Sequence, residues 1–420
     1  MPSYLYASAN EAPVFQTVIN NKGYHVINKI QLGTYVAITD ESGDFYKVTT
    51  AGPNGWMRKA DLGENMGLKI FFLDVGQGDG ALIEVGDLKI LVDAGPGINM
   101  YSYLTKWQYT YLLKARKQVH IDYLFISHFD RDHFKGFIKI INDKRFSFGS
   151  VYFPGILKFA EKTNPYNTGL GQTVKSGRIN YLQTKADNLL SLKNTDLYNR
   201  DVKNFVVALK NAKAEGRLKN TKRLKAGDIP VSKIIEEKNF AIEVLAPFTE
   251  IVNKRHSFVY WENESKTING HSLVLKLGFG QRNVLLGGDL NSNAENYLLK
   301  KYGNKNPFLV DVAKSCHHGS SDFTEKFMQM INPFATVISS GDNEIYAHPR
   351  ADAIGCAGKY ARGARPLVYS TELARSMSKE GLLFGMINLR SNGVNIYMNQ
   401  MKESGRASDL WDAYSLPSGD

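Results

Sequence analysis

The sequence predicts an α/β domain, with helices flanking apolar strands, preceded by a small all-β barrel. Three observations carry this. Apolar strand-sized pieces recur from Leu68 onward and several of them end in polar runs. Between Ala12 and Leu62 the text alternates in short pieces broken by Gly, Asp and Asn turns. The composition is globular, 43% hydrophobic and 22% charged with 37 Gly and 13 Pro, which excludes a disordered or fibrous chain. At 420 residues there is room for two or three domains of roughly 150 residues each.

The barrel is expected over residues 1–65, from strands near 24–30, 35–39 and 45–49 and a closing Gly55-Trp56-Met57. A larger α/β domain follows over 66–400. Its strands at 68–75, 81–85 and 89–92 read as an antiparallel meander, a helical stretch fills 101–117, and 121–127 is a buried strand. Further strands are expected at 241–245, 272–277, 283–286, 309–313, 335–339, 366–369, 385–389 and 393–398, with helices at 292–302 and 350–360. Residues 401–420 read as a loose tail in which Trp411 could still pack.

Charge is distributed unevenly. The net charge is +11, and residues 156–238 hold 17 Lys or Arg against 8 Asp or Glu. Apolar residues at helical spacing, such as Leu189, Leu192, Phe205, Val206 and Leu209, make this stretch a basic helical insertion. Such an excess favours nucleic acid, because each neutralised phosphate releases counterions; a solvated lysine-rich face is the plainer reading. No apolar run approaches the roughly 18 residues of a membrane span, and Met1 to Asn10 lack the pattern of a secretory signal. The two cysteines, Cys316 and Cys356, are then expected as free thiols in a cytoplasmic protein.

The chemistry concentrates in His128-Phe129-Asp130-Arg131-Asp132-His133, where a buried strand gives way to a helix. Two imidazoles and two carboxylates in one short loop form the donor mix of a divalent metal site. Gly76-Gln77-Gly78-Asp79-Gly80 lies between strands with no helix following, so it reads as a tight turn bringing Asp79 towards the site and not as a phosphate loop. Asp93 reads as a tie between loops, and Cys316 as a small buried thiol.

His-x-Asp-x-Asp-His followed by Gly136 resembles the metal signature of the metallo-β-lactamase fold, in the variant of the ComEC-like hydrolases. Other blocks agree in order: Leu73 to Asp79, Leu91 to Gly95, Ser272 to Leu275, Gly287-Gly288-Asp289, His317-His318-Gly319-Ser320 and Tyr346-Ala347-His348-Pro349. The resemblance implies an αββα sandwich and covers about 68–398, outside the basic insertion and the barrel. The barrel, with its Gly33 turn and terminal Gly-Trp strand, is similar to bacterial SH3 domains, which bind cell-wall peptides or dock proteins; without a secretory signal this implies a docking role for a protein partner or a merely structural one.

By this resemblance, His128 and Asp130 hold one divalent ion, Zn or Mn, Asp132 and His133 hold a second, Asp289 bridges them and His317 completes the set. His318 and His348 become catalytic or substrate groups beside Asp132, with Lys314 and Ser320 near a phosphate. His317 is favoured over His318 as the ligand, and His256 and His271 are the candidates for a further one. The implied activity is a metal-dependent phosphodiesterase on nucleic acid, DNA above all, at no membrane. The alternatives are a hydrolase of a small phosphodiester, such as a cyclic nucleotide or a phosphocholine ester, and a non-catalytic docking scaffold.

Overall fold

The computed structural model describes residues 4–341, 345–371, 387–402 and 406–417. Two large sheets face each other. The first has nine strands in the order Leu218–Arg223, Phe146–Phe153, Val119–Phe125, Leu88–Ala94, Gly80–Val85, Leu68–Phe72, Ile387–Ser391, Ile396–Met401 and Trp411–Ser415. The second has seven, in the order Val231–Ile235, Lys238–Ala246, Val274–Phe279, Arg282–Leu286, Val312–Lys314, Ala335–Ile338 and Leu367–Ser370.

Three apolar layers hold this together. Leu68, Ile70 and Phe72 point between the sheets against residues such as Val244, Leu275 and Val284, while Phe71 and Leu73 pack outward. Both faces of these strands are buried, which is why they read as unbroken apolar runs. Outside the first sheet lie the helices Gly136–Asn142 and Arg200–Ala214; outside the second lie Ser292–Tyr302 and Glu325–Ile331. The result is the αββα sandwich of the metallo-β-lactamase fold, preceded by an all-β region of seven strands over Tyr4–Gly63.

The basic stretch 156–238 differs from the expected helical insertion. Its one α-helix is Arg200–Ala214, capped by Asn199, whose side chain accepts from Val202 N at 2.9 Å. Leu218–Arg223 and Val231–Ile235 are edge strands, one in each large sheet, and Thr173–Ser176 with Ile179–Leu182 joins Arg255–Tyr260 and Glu250–Val252 in a separate four-stranded sheet. Their lysines face solvent, so the period-2 signal of a strand was masked. The stretch expected as one helix over 101–117 is broken into Asn99–Tyr103, Leu104–Gln108 and Thr110–Lys114. The tail contributes the edge strand Trp411–Ser415; residues 403–405 and 418–420 lie outside the described residues, as do 385–386 of the strand seen at Ile387–Ser391.

Helix Ser292–Tyr302 carries one buried acid, Glu295, whose carboxylate accepts from Thr324 N and Thr324 Oγ1 at the start of Glu325–Ile331. Burial pushes its pKa up to about 8 against these donors. A folded-state pKa above the unfolded value of about 4.3 means that the native state binds the proton more tightly, so this contribution is complete below about pH 4 and is lost as pH rises to about 8. Glu295→Gln should therefore gain stability over the native protein as pH goes from 5 to 8, by up to about 1.4 kcal/mol per unit, seen as a rising melting temperature relative to native. Melts in chelator at both pH values check this; a pH-independent offset would sink it.

Candidate metal centre

The site sits where strands of both sheets end. Val119–Phe125 runs into Ser127-His128, and Arg282–Leu286 runs into Gly287-Gly288-Asp289. Gly288, at φ 56°, brings Asp289 in tightly: a Cβ there would lie 2.7 Å from Ser272 Cβ. Gly78, at φ 139°, lets the 76–80 turn close onto the metal-motif loop, since a Cβ would run into the Asp132 carbonyl oxygen. His317 and His318 both adopt left-handed backbone, at φ 48° and 55°. Neighbouring histidines in that conformation are strained, and the strain turns both rings towards Asp289.

Four imidazoles surround one carboxylate oxygen. Asp289 Oδ2 lies 3.2 Å from His318 Nε2, 3.3 Å from His133 Nε2, and 3.9 Å from Nε2 of both His128 and His317. His128 Nε2 is also 4.0 Å from Asp130 Oδ2, and His318 Nε2 is 3.4 Å from Asp132 Oδ2. His128 Nε2 and Asp289 Oδ1 are buried without a hydrogen-bond partner, as is His317 Nδ1. Buried polar atoms left unmatched are expensive, and separations of 3.2–4.0 Å suit atoms that share a cation through bonds of roughly 2.0–2.2 Å.

The other ring nitrogens are held from behind. His133 Nδ1 is 2.9 Å from Asp93 Oδ2. His318 Nδ1 is 3.0 Å from the Ser339 carbonyl and 3.2 Å from Asp79 Oδ1. His128 Nδ1 is 3.1 Å from Ser127 Oγ and 3.3 Å from Ser272 Oγ. Fixing Nδ1 in this way turns Nε2 towards Asp289, the arrangement by which such histidines would hold a metal. Asp79 lies near the same cluster, yet its contacts are to the Nδ1 sides of His318 and His133. Asp79 thus belongs to the same buried group as His133, His318 and Asp289 while meeting the two rings from their Nδ1 sides.

Charge follows geometry. Burial alone would depress His133 and His318, but the carboxylates outweigh it, chiefly Asp289 with Asp93 for the first and with Asp79 for the second, and both pKa values stand well above the ordinary range. His128, buried beside His133, falls to about 4. Asp289 is held well below the usual carboxylate range, burial being overcome by His133, His318 and His317. The buried Asp and His donors suit a divalent cation.

The remaining expected residues divide. The rings of His317 and His348 are 5.8 Å apart, and those of His318 and His348 6.3 Å. Gln77 Nε2 reaches His348 Nδ1 at 3.5 Å. His318, expected as a catalytic or substrate group, is instead buried among the Nε2 atoms facing Asp289. Lys314, expected on the substrate, is buried and ion-paired with Asp79, its amine also 3.4 Å from the Gly288 carbonyl; it supports the site from beneath. Ser320 Oγ accepts from Asp322 N within its own turn. His271 is buried, its Nε2 2.8 Å from the Val259 carbonyl and its ring stacked on Trp261, and His256 lies on a separate hairpin beside Thr249, so neither reaches the centre. Cys316 is a free thiol whose pKa burial raises. Two residues that carried no sequence signal do reach the centre: Lys158 Nζ is 2.6 Å from Asp130 Oδ1, and the Asn269 amide lies between Asp130 and His317.

No family model matches the chain. A stretch of 82 residues is 38% identical to ComE operon protein 3 of Bacillus subtilis (strain 168), covering 19% of this chain and 10% of that protein. A stretch of 90 residues is 36% identical to competence protein ComA of Neisseria gonorrhoeae, covering 21% of this chain and 13% of that protein. The chain thus matches these curated relatives over about a tenth of their length. Among solved structures it is similar to the metallo-β-lactamase fold protein YhfI of Bacillus subtilis, at 11% identity and TM-score 0.37, over 72% of this chain and 96% of that one. Among the described residues no helix is long and apolar enough to cross a membrane. By its sheet order, the placing of its site at the strand ends and the order of its motifs, the chain has the metallo-β-lactamase fold and resembles the ComEC-like proteins.

Proposed function

We propose that this protein is a phosphodiesterase acting on nucleic acid, DNA above all, through two divalent ions, Zn or Mn. The observation that carries the reading is the convergence of four histidine Nε2 atoms on Asp289 Oδ2 within 3.9 Å. His128, Asp130 and His317 would hold one ion and Asp132, His133 and His318 the other, with Asp289 between them. Divalent ions so held acidify water and polarise a phosphoryl oxygen.

The chain's own groups do the rest. Lys158, partly exposed at the rim beside Asp130, offers an ammonium to a phosphate oxygen. Gln77 donates its amide to His348 Nδ1, which leaves the proton on Nε2, the tautomer able to donate a hydrogen bond to a phosphate or departing oxygen. The Lys-rich edge strand Leu218–Arg223 and the hairpin containing Lys175 and Arg178 supply charge for a backbone without reading sequence. The name of one relative, competence protein, is in keeping with a DNA substrate, and the barrel remains a candidate for docking a protein partner.

The test is cleavage of labelled single- and double-stranded DNA and of cyclic nucleotides with Mn²⁺ or Zn²⁺, comparing the native protein with Asp132→Ala and His133→Ala. DNA cleavage that needs metal and falls to background in both variants is the expected result. Intact DNA beside a hydrolysed cyclic nucleotide would replace the polymer by a small diester, and no cleavage under any metal would favour a scaffold.

A further inference from the structure

The end of the first sheet opposite the metal centre carries a second set of chemically coherent groups. Val119–Phe125, Phe146–Phe153 and Leu218–Arg223 are parallel neighbours, and a basic residue stands one or two positions before each, Lys117, Arg145 and Arg217. A cleft of about 330 Å³ opens there, lined by Leu113, Arg116, Lys117, Gln118, Lys144 and Arg145. Carboxylates reach only part of it: Asp143 holds Arg145 at 2.6 Å, and Glu215 lies 2.7 Å from Arg217 and 3.5 Å from Lys144. Between Asp93 and Asp122 the chain has no acidic residue and four cations, Lys106, Lys114, Arg116 and Lys117.

The same segment presents aromatic rings. Trp107 is 57% and Tyr111 65% exposed, on the two short helical turns that lead into the cleft. Tyr111 is near enough to Tyr6 and Tyr35 of the barrel for the charges of their hydroxyls to influence one another. Arg116 closes the second turn at φ 56°, with its N–H on the Leu113 carbonyl and that of Lys117 on the Leu112 carbonyl. Glycine would hold that position without strain, so the turn keeps its cationic side chain against a backbone preference.

We infer that this face binds single-stranded nucleic acid, its phosphates on Arg116 and Lys117 and its bases stacked on Trp107 and Tyr111. Cations alone would take any polyanion. Exposed rings interleaved with them select unpaired bases, since a duplex keeps its bases stacked on one another. The face stands apart from the metal centre by the length of Val119–Phe125, so the inference does not depend on what that centre hydrolyses.

The test measures fluorescence anisotropy of fluorescein-labelled dT20 with the full chain in chelator, from 50 to 200 mM NaCl, so that cleavage plays no part. Arg116→Gln/Lys117→Gln should weaken binding about fivefold or more at 50 mM salt and lower the slope of log affinity against log salt by about 1.4, or 0.7 per lost contact. Trp107→Ala/Tyr111→Ala should weaken it about fivefold or more at every salt concentration with the slope unchanged. Both pairs are exposed and are compared at equal melting temperature, with Lys300→Gln/Lys305→Gln as a control expected within twofold of native. Native isotherms in both test variants would overturn the site. Losses confined to the charge variant, with duplex competing as well as dT20, would overturn the single-strand assignment.

Discussion

Asp289→Asn should abolish metal-dependent hydrolysis and most metal binding while leaving the sandwich folded. The side chain is 3% exposed, and its Oδ2 is the one atom that faces His128, His133, His317 and His318 together. The amide is isosteric, so the core keeps its volume, but it carries no charge. Altering groups that merely orient a ligand costs about 10- to 100-fold in metal affinity or activity; a carboxylate shared by the whole cluster should cost more than about a hundredfold in rate. Metal content by mass spectrometry should drop together with the rate, and far-UV circular dichroism should match the native protein. Native metal content in a folded Asp289→Asn would show that the cations, if bound, are held elsewhere.

Lys314→Met should destabilise the protein by about 3–5 kcal/mol, the cost of leaving one charge of a buried pair without its partner. Lys314 is 4% and Asp79 6% exposed, and burial would lower the lysine pKa were it not for Asp79 and Asp289, which raise it. Methionine fills the same space without the charge, so the loss reports the ion pair and not a cavity. Because Asp79 backs His318, the same change should weaken metal binding, and added Mn²⁺ should recover part of the lost melting temperature. Asp79→Asn/Lys314→Met should recover more stability than either single change, since it removes both charges. A melting temperature within about 1 °C of native for Lys314→Met would contradict this account of the pair.

Much of the site's material was legible because it is local in sequence. His128, Asp130, Asp132 and His133 share one loop, and strand ends deliver Asp289 and the His317-His318 pair to it. What spacing could not decide was which of those two histidines faces inward; two consecutive left-handed residues turn both towards Asp289, His318 the more deeply. Lys158 and Asn269 were missed because only tertiary folding brings them to Asp130. Lys314 was misplaced for a related reason, since an ammonium beside a phosphate site and one buried against Asp79 look alike in a sequence.

The fold was legible wherever strands bury both faces, as at Leu68–Phe72 with all five residues inside. It was misread at the sheet edges. Leu218–Arg223 buries only Leu218 and Thr221, a three-residue spacing that imitates a helix. Its neighbour Arg200–Ala214 is a true amphipathic helix burying Val202, Phe205, Val206 and Leu209, and that periodicity was extended into strands on either side.

Arg390 is seated in the strand Ile387–Ser391 but completes the barrel: fully buried, it donates to the Leu32 carbonyl at 3.2 Å and to Gln31 Oε1 at 3.0 Å, while Asn10 donates to Asn399 Oδ1 at 2.8 Å and Met66 N to Glu236. In terms of exchangeable parts, the barrel is then not a bead on a string. It shares with the sandwich side-chain hydrogen bonds that tie the two together. Grafting the barrel elsewhere would mean carrying the Arg390 strand with it, and trimming it away would hand that guanidinium from the Leu32 carbonyl and Gln31 to water, leaving it the Asn388 amide oxygen and the Phe71 ring within the sandwich.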